Sequence, residues 1–273
     1  MQKTTQHIGN LSGKMLIFGG IYSNFQALEK MMEIAKAENI SASNIICTGD
    51  IVAYCAEPEQ CLQTVKDWGI HTILGNVEIQ LRDDAEDCGC NFDDDSRCDI
   101  FSKQWFPYAQ RKVSEASKQW LETLPDHLTF DFGGKRCLVV HGSYFETSGY
   151  VFRSTDWKIK QQNFDAANVD VIFGGHCGLP FSDVRDDKYW LNAGVIGMPA
   201  NDGTTKVWYM IVDENPFRFE HHSFEYDFQT THDLMNDNCL PRAYSETLKT
   251  GIWDNCDILP DVETAEQGKS LIL

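Results

Sequence analysis

Residues 45–50 read IICTGD, and this stretch decides the fold. Three apolar positions of strand length run into a Thr-Gly turn and stop at a carboxylate, Asp50; a helix-period segment follows at about 57–68. The same order stands on either side of it. MLIFGG (15–20) precedes a helical pattern over about 24–38, and HTILGN (71–76) precedes another that begins near Val77. Repeated strand-helix alternation implies a mainly parallel sheet in this half of the chain.

The second half is richer in strands. HLTFDFGGKRCLVVHG (127–142) reads as a hairpin turning at Gly133-Gly134, and VDVIFGGHCG (169–178) as a buried strand after a helix near 158–168. FSDVRDDKYWLNAG (181–194) and KVWYMIVDENPFRFEHHSFEYD (206–227) alternate as strands, with DDK and ENP as turns. Between the halves, RDDAEDCGCNFDDDSRCD (82–99) reads as an insertion or loop, and helical signals return over about 99–124 until Pro125. Beyond residue 227 the pattern gives one or two short helices outside the sheet. The last stretch, DILPDVETAEQGKSLIL (257–273), has no periodicity and is expected to be mobile. The expected organisation is an N-terminal extension at 1–13, one domain over 14–226 carrying the 82–99 insertion, and a C-terminal helical extension with a tail at 227–273.

Composition narrows the function. The 23 basic and 41 acidic residues give a formal charge of -18, which repels a nucleic-acid backbone, so a nucleic-acid polymer is not an expected partner. A small anionic substrate entering such a field needs a local positive charge, and a bound metal cation is the simplest source. No apolar segment suits a membrane span or an export signal, so a cytoplasmic protein with its ten cysteines reduced is expected.

Four apolar runs end in a residue that can bind a metal or accept a proton: Asp50, Asn76, His141 in CLVVHG and His176 in VIFGGH. Each has a structural explanation by itself, Asp50 and Asn76 as turn or cap residues and the histidines as core residues. In open α/β sheets, however, strand carboxyl ends converge on one crevice. One carboxylate, one amide oxygen and two imidazoles form a mixed O/N set suited to Mn, Fe, Zn or Ni.

At these residues the chain resembles the calcineurin-like metallophosphoesterases, most closely the small bacterial branch with phosphodiesterases and symmetrical dinucleoside-tetraphosphatase relatives. TGDIVAYCAEPEQCL, ILGNVE, VVHGS, GGHCGLPF and WLNAGVIGMP carry the resemblance, in order, across roughly 14–226. It implies an α/β (α+β sandwich) fold, with two packed mixed β-sheets flanked by α-helices and a two-metal site at the strand ends. It also implies that Asp50, Asn76, His141 and His176 are metal ligands. The family's Asp-x-His falls on Gly20 and Tyr22, and the last His of its Gly-His-x-His on Gly178, so the three ligands of the first metal alone are missing. The family's His after the Asn, which serves near the leaving group, is Val77.

Three readings follow. One is a hydrolase of phosphate esters (phosphomonoester, phosphodiester or nucleotide) with one divalent metal, acting on a small phosphorylated molecule with Tyr22, Glu78 and Cys177 bordering the pocket. Another is a phosphate- or nucleotide-binding or regulatory module that hydrolyses nothing. The third is a rebuilt metal or redox site that recruits sulfur from Cys55, Cys88, Cys90, Cys98 or Cys177. The aromatic C-terminal helices suit packing on the domain or on a second subunit of a homo-oligomer.

Overall fold

The computed structural model of the chain describes residues 3–90, 92, 95–271 and 273. Residues 1 and 2 of the expected extension, 91, 93 and 94 of the expected insertion, and 272 of the expected tail lie outside the described residues.

Period-two burial builds the first sheet. In β2 (Lys14–Phe18), Met15 and Ile17 face one side and Leu16 and Phe18 the other, and all four are fully buried, as in a sheet covered on both faces. β2 pairs in parallel with β3 (Ile45–Cys47), and β3 with β4 (His71–Thr72). Helices α1 (Phe25–Ala37) and α2 (Pro58–Trp68) make the crossovers, and α3 (Asn76–Arg82) leaves the end of β4. Antiparallel β10 (Val207–Asp213) and β11 (Arg218–Phe224) complete a five-stranded sheet of order β11-β10-β2-β3-β4.

The second sheet has six strands in the order β1-β5-β6-β7-β9-β8. They are β1 (Thr5–Asn10), β5 (His127–Phe132), β6 (Lys135–Val139), β7 (Val171–Gly174), β8 (Phe181–Arg185) and β9 (Lys188–Asn192). Between the sheets, Met15, Ile17, Ile46 and Ile73 pack with Phe130, Val139, Phe173 and Leu191. The outer face of one sheet is covered by α1 and α2, and that of the other by α6 (Trp157–Ala167). This is the expected sandwich of two mixed sheets flanked by helices.

Three expectations change. Residues 5–10 of the supposed N-terminal extension pair in parallel with β5, so the extension is an edge strand of the sandwich. The single helical stretch at 99–124 is two helices, α4 (Arg97–Lys112) and α5 (Glu115–Leu121), because Ser114 caps the second by accepting from Ser117 N at 3.2 Å. The C-terminal segment is docked. After α7 (Phe228–Asp237) and α8 (Arg242–Thr250), Trp253 N donates to Asn201 Oδ1 at 2.8 Å. The short α9 (Asp261–Thr264) is held by Glu263, whose carboxylate accepts from Ser154 N and Oγ at 3.0 and 2.6 Å. Among the described residues, no helix is long and apolar enough to cross a membrane.

Candidate metal centre

Strands β2, β3 and β4 run parallel within one sheet, as β6 and β7 do within the other, and their carboxyl ends meet on one rim. A bond from Gly19 N to Gly194 O (2.8 Å) ties the sheets together there. Asp50 and His176 both leave their strands in left-handed turns, with φ of 56° and 60°, which aim their side chains back over the rim. Asn76 opens α3, and His141 follows β6.

These four side chains come together. His141 Nδ1 lies 2.7 Å from Thr48 O, and a carbonyl only accepts, so Nδ1 carries a proton, and whenever the ring is neutral Nε2 presents a lone pair. Around that Nε2 stand Asn76 Oδ1 and His176 Nδ1, both at 3.1 Å, and Asp50 Oδ2 at 3.2 Å. The amide of Asn76 is oriented by its Nδ2, which donates to Cys88 O at 2.9 Å. A proton on Nε2 can serve only one of three acceptors. Asp50 Oδ1 and His176 Nε2 are, in addition, buried without any hydrogen-bond partner. Four converging lone-pair atoms with orphaned neighbours fit a cation, and the O/N donor set suits a divalent transition metal.

Electrostatics favour a neutral, ligating imidazole at His176 and pull the other way at His141. Burial, reinforced by His141, pushes His176 down to about 3. At His141 burial pulls the same way, but the Asp50 carboxylate and the Thr48 carbonyl outweigh it and raise the ring above its ordinary value.

Beside the cluster, the space next to Gly20 holds a phenol. A Cβ on Gly20 would meet Cε1, Cζ and Cδ1 of the Tyr22 ring at 2.3, 2.6 and 2.8 Å, and one on Gly178 would meet Trp253 Cη2 at 3.3 Å. Tyr22 itself sits at φ 54° and is buried; burial and nearby Asp50 hold its phenol protonated. Val77 is buried in the core beneath α3 rather than at the cavity.

Glu78, expected at the pocket, points the other way. Its carboxylate is fully buried and accepts from Asp50 N (2.8 Å) and Gly75 N (2.9 Å) through Oε2 and from Val52 N (3.0 Å) through Oε1. It locks the Asp50 and Asn76 turns to each other. Burial and the adjacent Asp50 push it up to about 7.

The cysteines divide. The sulfurs of Cys88 and Cys90 lie next to each other across one glycine. Cys90, Cys98 and Cys177 border the cavity, while Cys55 packs in the core with its Sγ toward Gly197 O. Among the described residues, none of the five joins the Asp50–His141–His176 cluster. Burial pushes the Cys98 and Cys177 thiols up to about 11 and 12 and the Cys55 thiol higher still, the opposite of what a thiolate ligand needs.

The cavity over the centre is narrow, about 80 Å³; Tyr22 and Cys177 are in its lining, but its other aromatic walls were not legible in the sequence. Tyr150 stacks on His176 at 4.3 Å, Tyr54 lies 4.8 Å from Tyr22 and 4.5 Å from Tyr244, and Trp253 is also part of the lining. The one signal for them was the aromatic content of the C-terminal segment.

A family model described as the calcineurin-like phosphoesterase superfamily domain matches residues 14–215. An uncharacterized protein of Methanocaldococcus jannaschii is 25% identical over 253 residues, spanning 86% of this chain and 97% of its own. The crystal structure of a metallophosphoesterase from Sphaerobacter thermophilus superposes with a TM-score of 0.69 at 23% identity, covering 89% of this chain and 100% of that one. A hypothetical protein from Pyrococcus horikoshii OT3 gives 0.73 at 18% identity, covering 88% and 99%.

Proposed function

The chain belongs to the calcineurin-like phosphoesterase superfamily, and from that premise we propose that it is a metal-dependent hydrolase of phosphoric esters working with one divalent ion, Mn, Fe, Zn or Ni, at Asp50, Asn76, His141 and His176. The observation that carries the reading is the ring of lone pairs around His141 Nε2, next to a compartment filled by the Tyr22 ring. A bound divalent ion supplies Lewis acidity toward a phosphoryl oxygen and makes water a better nucleophile. The protein contributes the rest. Glu78 and Thr48 hold the ligand turns in register. The protonated Tyr22 phenol offers a hydrogen bond to a phosphoryl oxygen, and the aromatic walls exclude bulk water. Val77 has no proton to give, so this reading favours esters whose leaving group needs none.

The test is metal content together with turnover of phosphomonoesters, phosphodiesters and dinucleoside polyphosphates by the purified chain. One equivalent of metal per chain, lost with activity in His141→Ala, is expected. Two equivalents would refute the single-ion site, and unchanged turnover in chelator would refute metal dependence.

A second reading, a phosphate- or nucleotide-binding module without turnover, is favoured by the narrowness of the cavity. Metal-dependent phosphate binding with no turnover of any of those esters is its signature.

A further inference from the structure

The cavity over the metal centre has no cation in its wall. Among the described residues that line it, the carboxylates Asp50 and Asp254 are present, and neither lysine nor arginine is. Arg97 stands at the rim, but its guanidinium is engaged at two points by Asp254, Nε to Oδ2 at 2.5 Å and Nη2 to Oδ1 at 2.8 Å. Its charge is thus cancelled before it reaches the cavity.

Charge can then be counted. A divalent ion with Asp50 leaves at most a single positive charge for the substrate to meet, and ionised Glu78 behind Asp50 lowers it further. A phosphodiester brings one negative charge and leaves the smallest excess. A phosphomonoester dianion or a polyphosphate brings an excess into a narrow, largely apolar space, where an unpaired charge is poorly tolerated. The overall charge of -18 works in the same direction.

The walls state a second requirement. Tyr22, Tyr54 and Tyr244 form a continuous aromatic side, with ring centroids 4.8 and 4.5 Å apart. Trp253, also in the lining, is fixed by Nε1 donating to Pro199 O at 2.8 Å, with its ring edge against Gly178. Such walls suit a flat ring better than a sugar or a polyol, because offset stacking adds to burial.

We propose that the site is selective for singly charged phosphodiesters bearing a flat aromatic group, with Trp253 and Tyr244 of the C-terminal segment as specificity-determining residues, and that it discriminates against phosphomonoesters and polyphosphates. The selectivity rests on the phosphoesterase reading above, but charge and stacking can be tested without turnover.

Calorimetry on the full, metal-loaded chain at alkaline pH compares phenylphosphonate, a dianion, with its monomethyl ester, a monoanion carrying the same ring. Kinetics compare bis(4-nitrophenyl) phosphate with 4-nitrophenyl phosphate, which share a leaving group. The monoanion should bind at least about tenfold more tightly, and the diester should show the higher kcat/KM. Trp253→Ala should weaken the monoanion about tenfold, with Trp253→Phe largely restoring it. Asp254→Asn, which frees the Arg97 charge, should shrink the preference for the monoanion. Equal or tighter binding of the dianion, or faster turnover of the monoester, overturns the selectivity while leaving the hydrolase reading intact. Selective monoanion binding without turnover of either ester supports the selectivity and removes the hydrolase reading. No binding and no turnover remove both.

Discussion

Replacing Gly20 by alanine tests whether Tyr22 fills the compartment beside the metal centre. The new methyl carbon would stand 2.3–2.8 Å from three ring atoms of Tyr22, inside the 3.0 Å that real Cβ contacts respect. Gly20 is not in the left-handed region, so alanine meets no backbone strain there and the penalty is the contact alone. The ring cannot swing away freely, since Tyr22 is 5% exposed and packs on Tyr54. Overpacking of this kind costs about 1–3 kcal/mol. In a Tyr22→Ala background the obstacle is gone, and the same substitution should be neutral or stabilise by about 0.4–1 kcal/mol through the unfolded chain. A double-mutant cycle by urea denaturation in chelator, so that metal binding does not enter, should return a coupling of about 1–3 kcal/mol. Additivity within about 0.5 kcal/mol would show that the ring does not stand over Gly20, and the filled-compartment argument would fall.

Two further outcomes follow from buried titratable groups. Glu78→Gln keeps one acceptor oxygen but turns an NH2 toward at least one of the Asp50, Val52 and Gly75 amides. It should cost about 1–3 kcal/mol per orphaned amide and weaken metal binding about 10–100-fold; metal affinity equal to wild type would remove Glu78 as the residue that positions Asp50 and Asn76. His127 is buried beside Tyr144, and burial, with the Lys3 charge adding, pushes it down to about 4. Because the folded value lies below the unfolded one, the unfolded chain takes up the proton first. Stability present above about pH 6.5 should be lost as pH falls toward about 4, by at most about 3 kcal/mol. His127→Gln should flatten the pH dependence of unfolding over that window, and an unchanged slope would contradict it.

What the sequence made legible was whatever a local signal encodes. Asp50, Asn76, His141 and His176 each end a short apolar run, and strand direction alone brings those ends to one rim. β1 was missed because TQHIGN is polar and largely exposed; it becomes a strand by pairing with residues more than a hundred positions away. The tail was missed for another reason. It is held by point contacts, Glu263 on Ser154, Gly268 N on Asn201 O (2.8 Å) and Gln267 Nε2 on Trp253 O (3.2 Å), and so shows no amphipathic period. The inward turn of Glu78 was also hidden, since an acidic residue after a ligand motif reads as a pocket group until its amide donors are known.

The aromatic groups over the rim depend on one another. Tyr22 lies where a side chain on Gly20 would begin, and Trp253 stands 3.3 Å from where one on Gly178 would, with the Tyr22 hydroxyl 4.0 Å from that same point. A histidine at 178 would press on Trp253 and would have to adopt the left-handed φ of 76° that suits glycine. Gly20, Tyr22, Gly178 and Trp253 accordingly lie close together, and no single substitution opens the space. Restoring an Asp at 20 leaves the phenol in the way, and removing the phenol leaves Trp253 over 178. On the proposed single-ion reading, room for a second ion would require the strand-end residues and the C-terminal segment to change together, which ties the chemistry at the rim to a segment far along the chain.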